Sequence, residues 1–380
     1  MKIAILNVLH EPDDKRVFHK EARSLAANGH QVVSIVPHAE PLEPRYGVEF
    51  VAIKPANTLP DRFLSVFRLL GPGLRSRADV YFAVEPESWV AALILKLLTG
   101  RPVIFDVHEY IPSEFAKFFP GPTRRFMNWL TIKMMRLFAR FTDEIILTKD
   151  CLDREFAGLA TPRTVVLNTN HLQPPCAEIL LELREKYAGK PVLIHQGQFG
   201  DKRGSFQLID AMKLVVKEIP DARCLLLGPY CIGDEKLFQR AVTEAGLDQH
   251  IISLGTVPFE QVPQYIAVSK VGLILFQPVS LGYTLGMPHK MFDYMRESVP
   301  YIAPEFVHEI RRITNEADCG ILIDATKPEE IAAAMLRLLQ DPAEAKRLGE
   351  NGRRAVETKY NWQHDESELL KVFERVGARK

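Results

Sequence analysis

Lys2-Ile3-Ala4-Ile5-Leu6-Asn7-Val8-Leu9-His10 and Gln31-Val32-Val33-Ser34-Ile35-Val36 are two apolar runs separated by a single helical pattern, and this opening decides the fold. Between them Val17, Ala22, Leu25 and Ala26 recur at helical spacing, and Gly29 in Asn28-Gly29-His30 reads as the stop. A crossover of this length joins parallel strands in a right-handed β-α-β unit. The same rhythm continues outward, with strands expected at 48–53, 80–84, 102–107 and 144–148 and helices at 62–70, 87–98 and 123–140. Alternation this persistent predicts a doubly wound sheet.

The rhythm breaks at 168–191, where polar residues, Pro174-Pro175 and a charged helical stretch at 178–186 intervene. It restarts with strands at 192–195, 223–227, 251–255 and 271–276 and helices at 205–216, 235–245, 260–267 and 290–297. The expectation is therefore an α/β protein of two Rossmann-like doubly wound domains facing a cleft: residues 1–170, a linker at 171–190, and residues 191–360. A terminal segment at 361–380 carries Trp362, Leu369, Leu370, Val372 and Phe373 at helical spacing. Open α/β sheets bind ligands beyond the carboxyl ends of their strands, so the work is expected in that cleft.

At 380 residues, 47% hydrophobic and 25% charged, the chain has an ordinary globular composition and the length for two domains. Lys+Arg and Asp+Glu both number 48, so no global positive field would hold it on a phosphate backbone, and no nucleic-acid partner is expected. The opening apolar run is broken too soon for a secretion signal, and no run reaches the roughly 18–20 apolar residues of a spanning helix. Cys151, Cys176, Cys224, Cys231 and Cys319 lack the spacing of a zinc site and read as reduced thiols in a cytoplasmic protein.

Candidate chemistry clusters at strand ends. The first loop, Glu11-Pro12-Asp13-Asp14-Lys15-Arg16, has no glycine and so no dinucleotide fingerprint; Asp14 reads as a cap and Arg16 as a solvated residue. Asp106-Val107-His108-Glu109 places an imidazole and two carboxylates at a strand's carboxyl end, a carboxylate there fixing the tautomer of His108. Alternatively, His108 is bonded within its own loop. Gln196-Gly197-Gln198-Phe199-Gly200-Asp201-Lys202-Arg203-Gly204 lets backbone approach a ligand closely, and Lys202 or Arg203 could neutralise a phosphate. In Gly286-Met287-Pro288-His289-Lys290-Met291-Phe292-Asp293, a helix start would face an anion. Lys290 and Asp293 share a face, either to grip a diphosphate and a ribose or as a plain i, i+3 ion pair.

These segments, together with Glu21-Ala22-Arg23-Ser24-Leu25-Ala26-Ala27-Asn28-Gly29-His30, make the chain resemble the family 4 glycosyltransferases of GT-B fold over nearly its whole length. The resemblance implies transfer of a sugar from a nucleotide diphosphate sugar (UDP- or GDP-sugar), held by the C-terminal half, to a glycan or lipid-linked acceptor held by the N-terminal half. It implies retention of configuration and no metal or other cofactor, in cell-surface polysaccharide or glycolipid synthesis. By that resemblance Gly197, Lys202, Arg203, Gly286, Lys290 and Asp293 bind the donor, His108 and Glu109 are catalytic, and Arg16 and Glu85 lie on the acceptor side. The terminal helix at 361–380 should cross back to the N-terminal domain and help define the hinge for closure. Asp293 stands where the family usually has Glu, Gln198 where a basic residue is frequent, and Leu285 where many members carry a sugar-contacting Glu. Glu297-Ser298 replaces the familiar small-Gly pair before Val299-Pro300.

Two other functions fit the same architecture. A nucleotide-sugar 2-epimerase would use Glu85 and Glu109 as acid and base, and a catalytically inactive nucleotide-sugar-binding partner subunit would account for Leu285, Gln198 and Asp293. The stretch 115–141 interleaves Phe115, Phe118, Phe119, Phe126, Trp129 and Phe138 with Lys117, Arg124, Arg125, Lys133, Arg136 and Arg140. It reads either as a buried crossover helix with a solvated basic face or as peripheral contact with the inner face of a membrane.

Overall fold

In a computed structural model, which describes residues 1–56, 58–112, 119–172, 177–187, 189–279 and 281–378, the chain divides into two compact units. One comprises Met1–Asn168 with Trp362–Lys380, the other Thr169–Asn361.

The first unit is built on β1 (Lys2–Leu6), β2 (Gln31–Pro37), β3 (Val48–Ile53), β4 (Val80–Ala83), β5 (Val103–Val107), β6 (Glu144–Leu147) and β7 (Arg163–Val165). They form one sheet in the order β3-β2-β1-β4-β5-β6-β7, every pair parallel. The order reverses between β1 and β4, so loops leaving these strands diverge and open a crevice at their carboxyl ends. Strands β4 and β5 are buried throughout, which is why they read as continuous apolar runs rather than alternating ones.

The first crossover differs from the regular helix expected: it opens as a π-helical segment, Val17–Ala22, before Arg23–Ala27. The second crossover helix, Leu59–Ser76, runs beyond the expected 62–70: Thr58 caps its start, accepting from Asp61 N at 3.3 Å, and the helix continues through Pro72. The helix Trp362–Gly377 lies in this unit's core, where Trp362, Leu369, Val372 and Phe373 join Ile3, Ile5, Val17 and Phe82. Trp362 Nε1 donates to Ser24 Oγ at 3.0 Å.

The second unit contains β8 (Val192–Gln196), β9 (Phe199–Gly200), β10 (Arg223–Leu227), β11 (Tyr230–Ile232), β12 (Ile251–Gly255), β13 (Val271–Leu273), β14 (Tyr301–Pro304) and β15 (Gly320–Ile323). Six make a parallel sheet in the order β12-β10-β8-β13-β14-β15, and β9 pairs with β11 beside it. The switch falls between β8 and its neighbours, placing the loop after β8 at the crevice. The stretch 171–190, expected to link the domains, contains the helix Ala177–Lys186, which groups with the second unit and has buried Leu183 and Tyr187. Pro174-Pro175 and Cys176 lie outside the described residues.

Ser298 stands in the left-handed region of the backbone. Its φ of +58° closes the helix His289–Arg296, with Ser298 N donating to Met295 O and Val299 N to Tyr294 O. That left-handed position is the one glycine fills most easily.

Candidate functional site

In the first unit the polar cluster grows from three strand ends. Asp14 Oδ1 accepts from Arg16 N and Val17 N, both at 2.8 Å, and so caps the turn that follows, as its position suggested. Arg16 is not a solvated residue; it is 4% exposed and turned inward. Its Nε and Nη2 donate to the two oxygens of Asp106 at 2.8 and 3.1 Å, and Nη2 and Nη1 to the carbonyls of Val166 and Leu167 at 3.2 and 3.4 Å. Glu21 Oε1 lies 3.0 Å from the same Nε. With its donors engaged in this way, Arg16 ties the end of β5 to the chain that follows β7.

One guanidinium cannot neutralise two buried carboxylates equally. Burial opposes ionisation of Asp106, but Arg16 and His108 outweigh it and hold its carboxyl well below the usual range. Burial pushes Glu21 well above its ordinary value against the pull of Arg16, so Glu21 keeps its proton. His108 Nε2 sits 2.6 Å from Asp106 Oδ2, and because Asp106 is ionised this nitrogen carries the proton and donates. Thr148 Oγ1 donates to the carbonyls of Val107 and His108, fixing the strand end. Glu21, Asp106 and His108 offer ligand atoms within 4.8 Å of one another, but the Arg16 cation already sits against both carboxylates, so this donor set does not fit a metal.

Sequence reasoning missed His10, whose ring centroid is 5.0 Å from that of His108 and whose Nδ1 is 3.1 Å from Asp14 Oδ2. Burial pulls its pKa down, yet Asp14 and Glu85 overcome this and the net shift is upward. The spacing of His10 and Asp14, four apart after β1, was the available signal. Glu85 precedes the helix Pro86–Thr99 and turns its buried carboxylate onto the loop after β1, accepting from Val8 N at 3.2 Å and Leu9 N at 3.0 Å. Burial raises its pKa against these contacts. Glu85 therefore organises that loop. Glu109 does not join the cluster: its side chain is 68% exposed and pairs with Lys149 Nζ at 2.6 Å.

In the second unit the loop after β8 and the helix His289–Arg296 meet. Gly197, at φ +91°, donates its N–H to Leu227 O at 2.7 Å, and a Cβ there would lie 3.9 Å from Lys290 Cε. Gly204, at φ +79°, starts the helix Ser205–Glu218 pressed against Leu275. Gln277 N donates to Lys202 O, tying this loop to the end of β13, while the Lys202 side chain is exposed. Arg203 Cζ and Lys290 Nζ lie 5.2 and 6.0 Å from the centroid of the Phe276 ring, so both cations rest on one aromatic surface. Arg203 Nε is buried with no hydrogen-bond partner among the described residues. Gly286, following the short helix Leu281–Thr284, packs within reach of Phe276.

Lys290 is 5% exposed, on the first turn of its helix, with Pro288 rather than a side chain as its cap. Its Nζ is 3.0 Å from His195 Nε2, and among the described residues no carboxylate lies within ion-pair distance of it. Burial first, then Arg203, holds its pKa well below the ordinary lysine value, and Asp293 only partly offsets them. His195, at the end of β8, is pushed well down by burial and by Lys290. Asp293 accepts from Asn170 Nδ2 at 2.8 Å and Gln196 Nε2 at 3.3 Å, with Arg296 at 3.7 Å. Tyr294 Oη accepts from Gln196 N and locks the helix to β8. Lys290, Arg203, Gly197 and Asp293 are thus gathered at one sheet end. Leu285 is buried, and Gln198 Oε1 lies 3.5 Å from Arg203 Nη2.

Comparison with known proteins matches residues 181–355 to the family of glycosyl transferases group 1 and residues 15–170 to the glycosyl transferase 4-like domain. The chain is 21% identical over 294 residues to alpha-D-kanosaminyltransferase of Streptomyces kanamyceticus, covering 75% of this chain and 73% of that protein. It is 23% identical over 210 residues to the GDP-mannose-dependent alpha-(1-6)-phosphatidylinositol monomannoside mannosyltransferase of Mycolicibacterium smegmatis, covering 52% of each. The fold is similar to that of HepE from Anabaena in complex with UDP, with a TM-score of 0.74 at 15% identity over 99% of this chain and 100% of that one.

Proposed function

Since the chain belongs to the glycosyl transferases group 1 family and is a glycosyltransferase of GT-B fold, we propose that its second unit binds a nucleotide diphosphate sugar and that the enzyme passes the sugar, with retained configuration, to a glycan or lipid-linked acceptor. One observation carries this reading: a buried lysine beside an arginine, at a helix start, facing a glycine and, among the described residues, without a carboxylate counter-ion. Basic groups held this way oppose one another's charge until an anion arrives. A diphosphate supplies the missing negative charge, and Gly197 leaves room for its oxygens beside the backbone. As the sugar–phosphate bond breaks, charge builds on the leaving diphosphate, where Lys290, Arg203 and the helix start stabilise it. Asp293 is assigned to the ribose hydroxyls, exchanging its contact with Asn170 or Gln196 for them.

His108, with Nε2–H pinned by Asp106, is assigned to the transferred sugar. For retention we adopt same-face attack: the acceptor oxygen bonds to the anomeric carbon as the phosphate oxygen leaves, and that oxygen takes the acceptor's proton. Trapping a covalent glycosyl-enzyme in a single turnover would contradict it. No metal is assigned a role, the positive charge coming from side chains.

The epimerase reading loses support because Glu85 is spent on backbone N–H groups and Glu109 on Lys149. A thermal-shift series with UDP-, GDP- and ADP-sugars tests the donor: a true ligand at about 100 times its Kd adds about 2.7 kcal/mol of stability. Product analysis with an acceptor then separates transfer from a partner subunit that binds without turnover.

A membrane-associated acceptor is supported by the helix Gly121–Ala139, which carries Arg124, Arg125, Lys133 and Arg136, no acidic residue, and exposed Phe126 and Trp129. No described helix is long and apolar enough to cross a membrane. We read this helix as resting on an anionic bilayer surface. Residues 115–118 of the same stretch lie outside the described residues.

A further inference from the structure

We infer that capture of the donor diphosphate is coupled to uptake of a proton by the Lys290–His195 pair, so that His195 is a positioning residue for the lysine that grips the leaving group. The inference rests on the donor reading above and adds to it how the site is charged before and after binding.

The geometry requires a choice. His195 Nε2 lies 3.0 Å from Lys290 Nζ and 3.2 Å from the carbonyl oxygen of Gln198, and His195 is fully buried. If Nε2 carries the ring proton, it donates to Gln198 O and then opposes an ammonium beside it. If Nε2 is bare, it accepts from Lys290, and the proton moves to Nδ1, which is buried without a partner among the described residues. Neither arrangement satisfies a full ammonium and both ring nitrogens together. An uncharged amine removes the conflict at Nε2, because it can accept from Nε2–H without placing a charge there, and leaves only bare Nδ1 unpartnered among the described residues.

The surroundings favour the same outcome. The loop after β8 contributes Arg203, whose charge opposes an ammonium, and Asp201, whose Oδ1 is occupied by Tyr230 Oη at 2.6 Å. Strand β8 contributes His195 and the neutral Gln196; the end of β13 contributes the ring of Phe276 and Gln277. On Lys290's own helix, Asp293 is the acid that favours charge and Arg296 pairs with it at 3.7 Å; His289 precedes Lys290. A diphosphate entering beside Gly197 reverses the balance. Lys290 then takes one proton from solvent, turns its ammonium to the phosphate oxygens, and leaves Nε2–H to the Gln198 carbonyl.

Isothermal titration of the full chain with UDP, GDP and ADP at pH 8, in three buffers of different ionisation enthalpy, reads the proton count directly. At that pH the terminal phosphate is already ionised, its last proton leaving near pH 6. The expected slope is uptake of roughly half a proton or more per nucleotide bound. Lys290→Arg, always charged, should bind with a slope near zero; if arginine does not fit, Lys290→Gln at higher protein concentration serves the same purpose. Tight binding by the wild type with zero slope overturns the inference and leaves the donor reading standing. Uptake that persists in the position-290 variant also overturns it. No binding of any of the three nucleotides removes the donor reading and this inference with it.

Discussion

Replacing Lys290 by Met nearly keeps the length of the side chain and removes its capacity to carry charge, which separates two roles that stability and binding measure with opposite sign. In the empty protein the Lys290 amine is buried beside Arg203 with no carboxylate within ion-pair distance among the described residues, so below pH 10.5 folding must either strip its proton or bury an uncompensated charge. Lys290→Met should therefore stabilise the second unit, by about 1 kcal/mol, or about 2–4 °C in Tm for a unit of this size. The gain depends on pH. Because burial lowers the folded pKa, the unfolded chain binds more protons at position 290 between that lowered value and 10.5, the ordinary lysine value. Wild-type stability therefore rises with pH through that window, and the variant's advantage shrinks as pH approaches 10.5. Nucleotide binding should move the other way. Removing one member of a desolvated charge pair costs about 2–5 kcal/mol, at least about thirtyfold in Kd. Differential scanning fluorimetry with and without UDP or GDP reads both effects in one plate. A variant that melts lower than wild type yet keeps its full nucleotide shift would refute the reasoning, because the lysine would then be a structural group and not an anion's partner.

Glu21→Gln should leave stability at pH 7 within about 0.5 kcal/mol of wild type, since the amide mimics the protonated acid, whereas Arg16→Met should cost about 3–5 kcal/mol by stranding Asp106; urea melts of both test this. Ser298→Gly should raise Tm, worth about 0.5–1 kcal/mol, by relieving a left-handed backbone that costs a non-glycine residue roughly 1–2 kcal/mol; no gain would mean the Ser298 hydroxyl compensates. Reversing Arg124 and Arg125 to Glu should cut sedimentation with phosphatidylserine vesicles at least about tenfold, at about 1 kcal/mol per cation, without changing nucleotide binding.

The doubly wound pattern was legible because parallel strands buried on both faces leave continuous apolar runs such as 80–84 and 102–107, and each crossover helix leaves its own period. Lys290, Arg203 and Gly197 could be named for the same local reason, a strand end or helix start in sequence. Burial was not legible. Arg16 looks like any loop arginine until Asp106, ninety residues away, is brought to 2.8 Å from it. His195 lay inside an expected strand and carried no motif, and its importance comes from a lysine 95 residues later. The role of Glu85 escaped notice because its partners are backbone N–H groups, which have no signature in the sequence. The helix at 178–186 was read as part of a linker because its charged face is what shows, while Leu183 and Tyr187 anchor it out of sight.

The helix Trp362–Gly377 completes the core of a unit whose other residues end at Asn168. During translation, at about 5–20 residues per second, Ile3, Val17 and Phe82 would wait, once Asn168 had been made, on the order of ten to forty seconds for Phe373 to leave the ribosome. The later-made unit, continuous in sequence, has no such delay and can finish first. The nascent protein would then carry an open apolar trough on its earliest segment, a natural target for holdase chaperones and the place where a stalled chain would aggregate.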